Sequence, residues 1–138
     1  MKTLKSALDQ VRVSRERRTD IPLAGYSVLI VEDEPLIALD VHAALSTSGA
    51  SLIAATRLAE ARDLIRRAEV SAAVVDINLG GEDCSSVCQA LSDQRIPFIF
   101  YTGNANADVI KAWPHAPVLT KPASPELILE TVAKLLLQ

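Results

Sequence analysis

The sequence predicts an α/β fold, in which one parallel β-sheet is covered by helices on both faces. Two patterns lead there. Five short apolar runs recur along the chain, and between them apolar residues return at helical spacing with polar residues in the remaining positions. Hydrophobic residues make up 49% of the chain but aromatic ones only 4%. The core must therefore be built from Ala, Val, Leu and Ile, which suits helices packed closely on a sheet buried on both sides. At 138 residues the chain has the length of one domain.

Tyr26-Ser27-Val28-Leu29-Ile30-Val31 reads as the first strand, and it stops at three acids, Glu32, Asp33 and Glu34. Pro35 can occupy the first turn of a helix, and Leu36, Ile37, Val41, Ala44 and Leu45 carry that helix until Gly49 stops it. Leu52 to Thr56 is the second strand. Leu58, Ala61, Leu64 and Ile65 form the apolar stripe of the second helix, opposite Arg62, Asp63, Arg66 and Arg67. Ala72-Ala73-Val74-Val75 is the third strand and stops at Asp76; a Gly80-Gly81 turn and a helix from about Cys84 to Leu91 follow. Pro97 to Tyr101 is the fourth strand, ending at Thr102-Gly103, with a short helix over Ala107 to Trp113. Val118-Leu119-Thr120 is the fifth, ending at Lys121-Pro122. Ser124 as N-cap and Pro125 at the first helical position open the last helix, through Leu127, Ile128, Val132, Leu135 and Leu136.

Several function classes are excluded at this level. No apolar run approaches the roughly 20 residues of a membrane span. The basic start, Met1 to Lys5, has no apolar segment behind it of the kind a secretory signal needs. A cytoplasmic protein is expected. Residues 1–25 carry a net charge of +3 against −3 for the whole chain, which leaves −6 on the remainder. A basic N-terminal extension, helical or disordered, thus precedes an acidic domain over residues 26–138, and that acidity argues against nucleic-acid binding by the domain. Cys84 and Cys88 lie four apart in a helical pattern and read as small buried apolar residues. His42 and His115 read as packing or surface residues.

The chemistry lies where the strands stop. In an open parallel α/β sheet, ligands bind at the carboxyl ends of the strands, beside the point where strand order reverses. Those ends carry Glu32 and Asp33, then Asp76, Thr102 and Lys121. Three carboxylates close together raise one another's pKa and call for a hard cation, and Mg²⁺ suits an all-oxygen set shared with phosphate. Asp76 can act as a carboxylate nucleophile that forms an acyl phosphate. Lys121 can pair with a phosphoryl oxygen and Thr102 can donate a hydrogen bond to another, so positioning and electrostatics do the catalysis.

Val31-Glu32-Asp33-Glu34-Pro35, Val75-Asp76-Ile77-Asn78-Leu79, Tyr101-Thr102-Gly103 and Leu119-Thr120-Lys121-Pro122 resemble, in order, the four motif blocks of response-regulator receiver domains. The resemblance covers residues 26–138. It implies a flavodoxin-like (CheY-like) sheet of five parallel strands in the order 2-1-3-4-5 and a cis Lys121-Pro122 bond. It further implies metal binding by Glu32, Asp33, Asp76 and the backbone carbonyl of Asn78, phosphorylation of Asp76, phosphoryl sensing by Thr102, and completion of the site by Lys121. The implied partner is a histidine kinase or histidine phosphotransfer protein, with a homodimer through the fourth helix, fifth strand and fifth helix. Asn78 and Asn104, each two residues past a site residue, are candidates for tuning phosphoryl lifetime.

Two positions depart from the family pattern. Gly80 stands where Pro is common, and Val118 stands where an aromatic residue often swings inward as the threonine moves, so that switch cannot operate here in its usual form. The segment from Pro97 to Gly103, the short Ala-rich fourth helix and Pro117 resemble the "FAT GUY" subgroup of stand-alone receivers, to which Tyr101 and Asn104 are looser fits. Signalling is then expected to run through ordering of residues 103–117. With Met1 at one end and a last helix reaching Gln138 at the other, a complete single-domain regulator is expected, with a fragment of a larger protein as the alternative. A phosphate sink or relay intermediate remains an alternative, as do a phosphorylation-independent pseudo-receiver and a Mg²⁺-dependent phosphatase; for the last, Asn78 stands where a second Asp is usual.

Overall fold

The computed structural model describes residues 21–137, so the first 20 positions of the expected basic extension lie outside the described residues. Five strands form one parallel sheet: β1 (Ser27–Val31), β2 (Ser51–Ala55), β3 (Ala72–Val75), β4 (Phe98–Thr102) and β5 (Val118–Thr120). Their order across the sheet is β2-β1-β3-β4-β5, as expected. Five helices connect or follow them: α1 (Pro35–Ser46), α2 (Leu58–Arg67), α3 (Ser85–Asp93), α4 (Asp108–Ala112) and α5 (Pro125–Leu136).

Side chains alternate across a strand, so each central strand feeds two cores. Leu29, Val31, Ala73, Val75, Phe98 and Phe100 face one side, where Ala61 and Ile65 of α2, Val87, Cys88 and Leu91 of α3, and Val109 of α4 cover them. Val28, Ile30, Val74, Ile99, Tyr101 and Leu119 face the other, under Val41, Ala44 and Leu45 of α1 and Ile128, Leu129, Val132 and Ala133 of α5. Leu23 is fully buried in this second core, and its N–H donates to the Ser48 carbonyl at 2.7 Å, so the packed chain starts ahead of β1. Cys84 and Cys88 are both fully buried and unbridged, as the sequence suggests.

Local signals account for most boundaries. Ser124 caps α5, its hydroxyl accepting the Leu127 N–H at 3.1 Å with Pro125 next in line. The Pro97 carbonyl accepts the Ala73 N–H at 3.1 Å, but a proline has no N–H to donate, and β4 starts one residue later. One element was not expected: Asn78–Leu79 and Glu82–Asp83 pair antiparallel about the Gly80-Gly81 turn. Both glycines have positive φ, 59° and 88°, the conformation that a two-residue hairpin turn of this hand requires. A Gly-Gly pair between short runs is a hairpin signal, and the runs here are too short to show alternation.

On α1, Leu36 and Leu39 are 76% and 61% exposed, whereas Ile99 in β4 is fully buried. Ile99→Ala should lower unfolding free energy by about 2–5 kcal/mol through the methyl groups lost and the cavity left. Leu39→Ala should change it by no more than about 0.5 kcal/mol. Urea unfolding of both variants against the parent chain measures the contrast.

Candidate functional site

Parallel registers set the site. Val31 pairs with Val75 at the carboxyl ends of β1 and β3, and the Asp76 N–H donates to the Val31 carbonyl at 2.9 Å. Glu32 and Asp76 therefore leave adjacent strands side by side. Across the sheet, Thr102 pairs with Thr120, and the Lys121 N–H donates to the Thr102 carbonyl at 2.8 Å, which brings Lys121 to the same edge. Carboxylate oxygens of Glu32, Asp33 and Asp76 lie within 4.8 Å of one another. The Lys121 ammonium sits 2.5 Å from Glu32 Oε1 and 3.3 Å from Asp76 Oδ2. The residues that the sequence placed at three strand ends do meet, and the Lys121-Pro122 bond that follows is cis.

Hydrogen bonds fix this cluster in detail. The Asp33 N–H donates to Glu32 Oε2 at 3.0 Å. Asp33 Oδ2 accepts the Gly80 N–H at 3.0 Å, a bond between the end of β1 and the tip of the 78–83 hairpin. Thr102 is buried, and its hydroxyl oxygen accepts the Asn104 N–H at 2.9 Å, which leaves the hydroxyl hydrogen free to donate. Asn104 is turned away into its own loop, its side-chain oxygen accepting the Asn106 N–H at 3.2 Å. Asn78 is exposed in the hairpin. Leu79 and Glu82 close the two-residue turn as the hydrogen-bonded pair, so Asn78 and Asp83 form the next, non-hydrogen-bonded pair. The main-chain carbonyl of Asn78 consequently faces away from its partner strand.

Electrostatics follow from crowding. Burial first, and then the hydrogen bond and charge of Asp76, push the Glu32 carboxyl up to about 7, although Lys121 pulls the other way. Burial would lower the Lys121 ammonium, but the Glu32 hydrogen bond and the charges of Asp76 and Glu32 outweigh it and raise the pKa. Among the described residues no buried side-chain nitrogen or oxygen lacks a partner.

Gly80 and Tyr101 were missed as parts of this site. Gly80 contributes a main-chain donor, which no residue pattern announces. Tyr101 lies beneath Lys121, with the ammonium 5.7 Å from its ring centroid, and its hydroxyl accepts the Ala123 N–H at 3.0 Å. Val118, by contrast, packs half-buried on the α2–α4 side, with no aromatic group to move.

Comparison with known proteins agrees with this geometry. The family described as Response regulator receiver domain matches residues 28–133. No curated protein matches the chain at a significant level. Among solved structures, SdrG from Sphingomonas melonis Fr1 is similar at 34% identity and a TM-score of 0.71, covering 80% of this chain and 96% of its own. The response regulator PhyR from Brucella abortus superposes with a TM-score of 0.77 at 24% identity; the match covers 96% of this chain, which spans only 56% of that one. A CheY-like receiver domain protein from Methanospirillum hungatei JF-1 gives a TM-score of 0.73 at 22% identity, covering 80% of this chain and 93% of the other, a likeness of fold alone. With more than half of the sequence matched and the acid–lysine edge in place, the chain belongs to the response regulator receiver domain family.

Proposed function

We propose that this receiver is a phosphoacceptor switch of a two-component system or phosphorelay, phosphorylated on Asp76 with Mg²⁺ beside it. One observation carries the reading: the Asp76 carboxylate shares a strand-end cluster with Glu32 and Asp33 while the Lys121 ammonium reaches it from across the sheet. An oxygen-only, acidic donor set fits Mg²⁺. Glu32, Asp33, Asp76 and the outward-facing main-chain carbonyl of Asn78 would hold the ion. When bound, it offsets negative charge on the incoming phosphoryl group.

The protein's own groups account for the remaining chemistry. An Asp76 oxygen forms a bond to phosphorus as the phosphorus–nitrogen bond of a phosphohistidine breaks, and the histidine of the donor protein leaves with the electron pair. Lys121 can turn from Asp76 to a phosphoryl oxygen, and the free Thr102 hydroxyl hydrogen can donate to another. Asn78 and Asn104, each two residues past a site residue, are the candidates for setting the lifetime of the acyl phosphate by limiting water's access to it. The donor is a histidine kinase or histidine phosphotransfer protein, for which Leu36 and Leu39 offer an exposed apolar surface next to the acids. No outside substrate is turned over in this scheme. A cytoplasmic setting suits two thiols that stay unbridged 3.7 Å apart. We assign the receiver to the chain from residue 21 on, ahead of the expected boundary at 26 because Leu23 is buried in its core, and the basic extension to the residues before it. We also place the chain among stand-alone receivers of the "FAT GUY" kind, on the Pro97 to Gly103 motif, the short Ala-rich fourth helix and Pro117.

Three outcomes are expected. After treatment with a small phosphodonor and Mg²⁺, intact mass spectrometry should find one added phosphoryl unit on the parent chain and none on Asp76→Asn; an adduct on both would move the site elsewhere. In Mg²⁺-free buffer the raised Glu32 pKa has a definite sign: the folded state holds its proton more tightly than the unfolded one. Stability from this group is therefore full below about pH 4.5 and is lost as pH rises through about 7. Urea midpoints measured between about pH 5 and about pH 8 should fall for the parent chain and flatten in Glu32→Gln. Lastly, Mg²⁺ with beryllofluoride should slow amide exchange in residues 103–117; identical exchange with and without the mimic would remove the loop from the signalling path.

A further inference from the structure

We propose that Tyr101 is a positioning residue for Lys121, acting on it through both ring and hydroxyl; the inference rests on the phosphoacceptor reading above. Tyr101 comes one residue before Thr102 on β4 and points to the α1–α5 side, where it is 5% exposed. Its ring lies under the Lys121 side chain, 5.7 Å from centroid to ammonium, within the range in which an aromatic face attracts a cation. Its hydroxyl holds the Ala123 N–H at 3.0 Å, two residues beyond Lys121. On the other side, the Lys121 N–H is bound to the Thr102 carbonyl at 2.8 Å. The chain from 121 to 123 is thus gripped at each end by neighbouring residues of β4, one through main chain and one through side chain.

A lysine side chain has four rotatable carbons and gives up much rotamer freedom when held. Here its direction is set from below. Without the Tyr101 hydroxyl, the half-buried Ala123 N–H has no partner of comparable geometry, and the loop that carries Lys121 is anchored only by the Thr102 bond. The ring under the Lys121 ammonium thus stands on β4 and is tied in place by a hydrogen bond.

Tyr101→Phe keeps the ring and its packing and removes only the hydroxyl. Mg²⁺ alone, and then beryllofluoride in saturating Mg²⁺, are titrated calorimetrically into the parent chain and the variant. Loss of one neutral hydrogen bond corresponds to about a three- to tenfold weakening of beryllofluoride binding. Mg²⁺ affinity should not weaken, because its acids leave other strands. Equal beryllofluoride affinity in the two chains, or an equal loss for both ligands, would overturn the proposal, the second result marking a general loosening. A parent chain that binds no beryllofluoride would instead sink the phosphoacceptor reading beneath it. Should Tyr101→Phe not fold, exchange of the Ala123 amide in the parent chain decides: the amide should be protected as a hydrogen-bonded one, and exchange at the rate of a free amide refutes the tie.

Discussion

Like charges held together at the end of a parallel sheet are the constraint that organises this molecule. Glu32, Asp33 and Asp76 are brought close by the register of β1 on β3, which the apolar cores on both faces enforce. Their mutual repulsion opposes that register. It is relieved from three directions: a proton retained near neutrality on Glu32, the Lys121 ammonium delivered by β5, and the Gly80 N–H delivered by the hairpin. Packing therefore holds the acids in an arrangement that only a retained proton or added positive charge makes tolerable.

Most of the fold was legible because its determinants are local. Ala72 to Val75 and Val118 to Thr120 appear as strands at their expected bounds, since each apolar run is cut off by a polar residue with a task of its own. The Ser124-Pro125 start of α5 needed only capping chemistry. The site was legible for the same reason, as four of its side chains stand directly at strand ends. What escaped was whatever depends on main chain or on distance in sequence. Residues 78–83 gave too short a pattern to separate a hairpin from a loop, and the Gly80 bond to Asp33 spans 47 positions. Tyr101 was visible only as an irregular member of a motif, because its partner is an amide 22 residues away.

The two cores differ in how they meet the site. On the α2–α4 side, Phe98 stacks edge-to-face with Phe100 and with Trp113, at 5.5 and 5.9 Å between centroids, toward the end of the sheet away from the acids. On the α1–α5 side, Tyr101 lies under the Lys121 ammonium that pairs with the acids, and its hydroxyl accepts the Ala123 N–H. Phe98, Phe100 and Trp113 consequently serve packing, and the one aromatic group placed to feel the charge state of the cluster is the tyrosine.

The anchor that Gly80 offers Asp33 has an evolutionary corollary. A donor belonging to the peptide unit is encoded by every residue type except proline, so drift in side-chain chemistry at position 80 cannot delete it. What drift can disturb is the left-handed backbone, which glycine adopts freely, asparagine tolerates, and branched residues resist. The alphabet permitted there is consequently narrow for a reason unrelated to polarity or size, and a proline would remove the anchor and the turn in a single step.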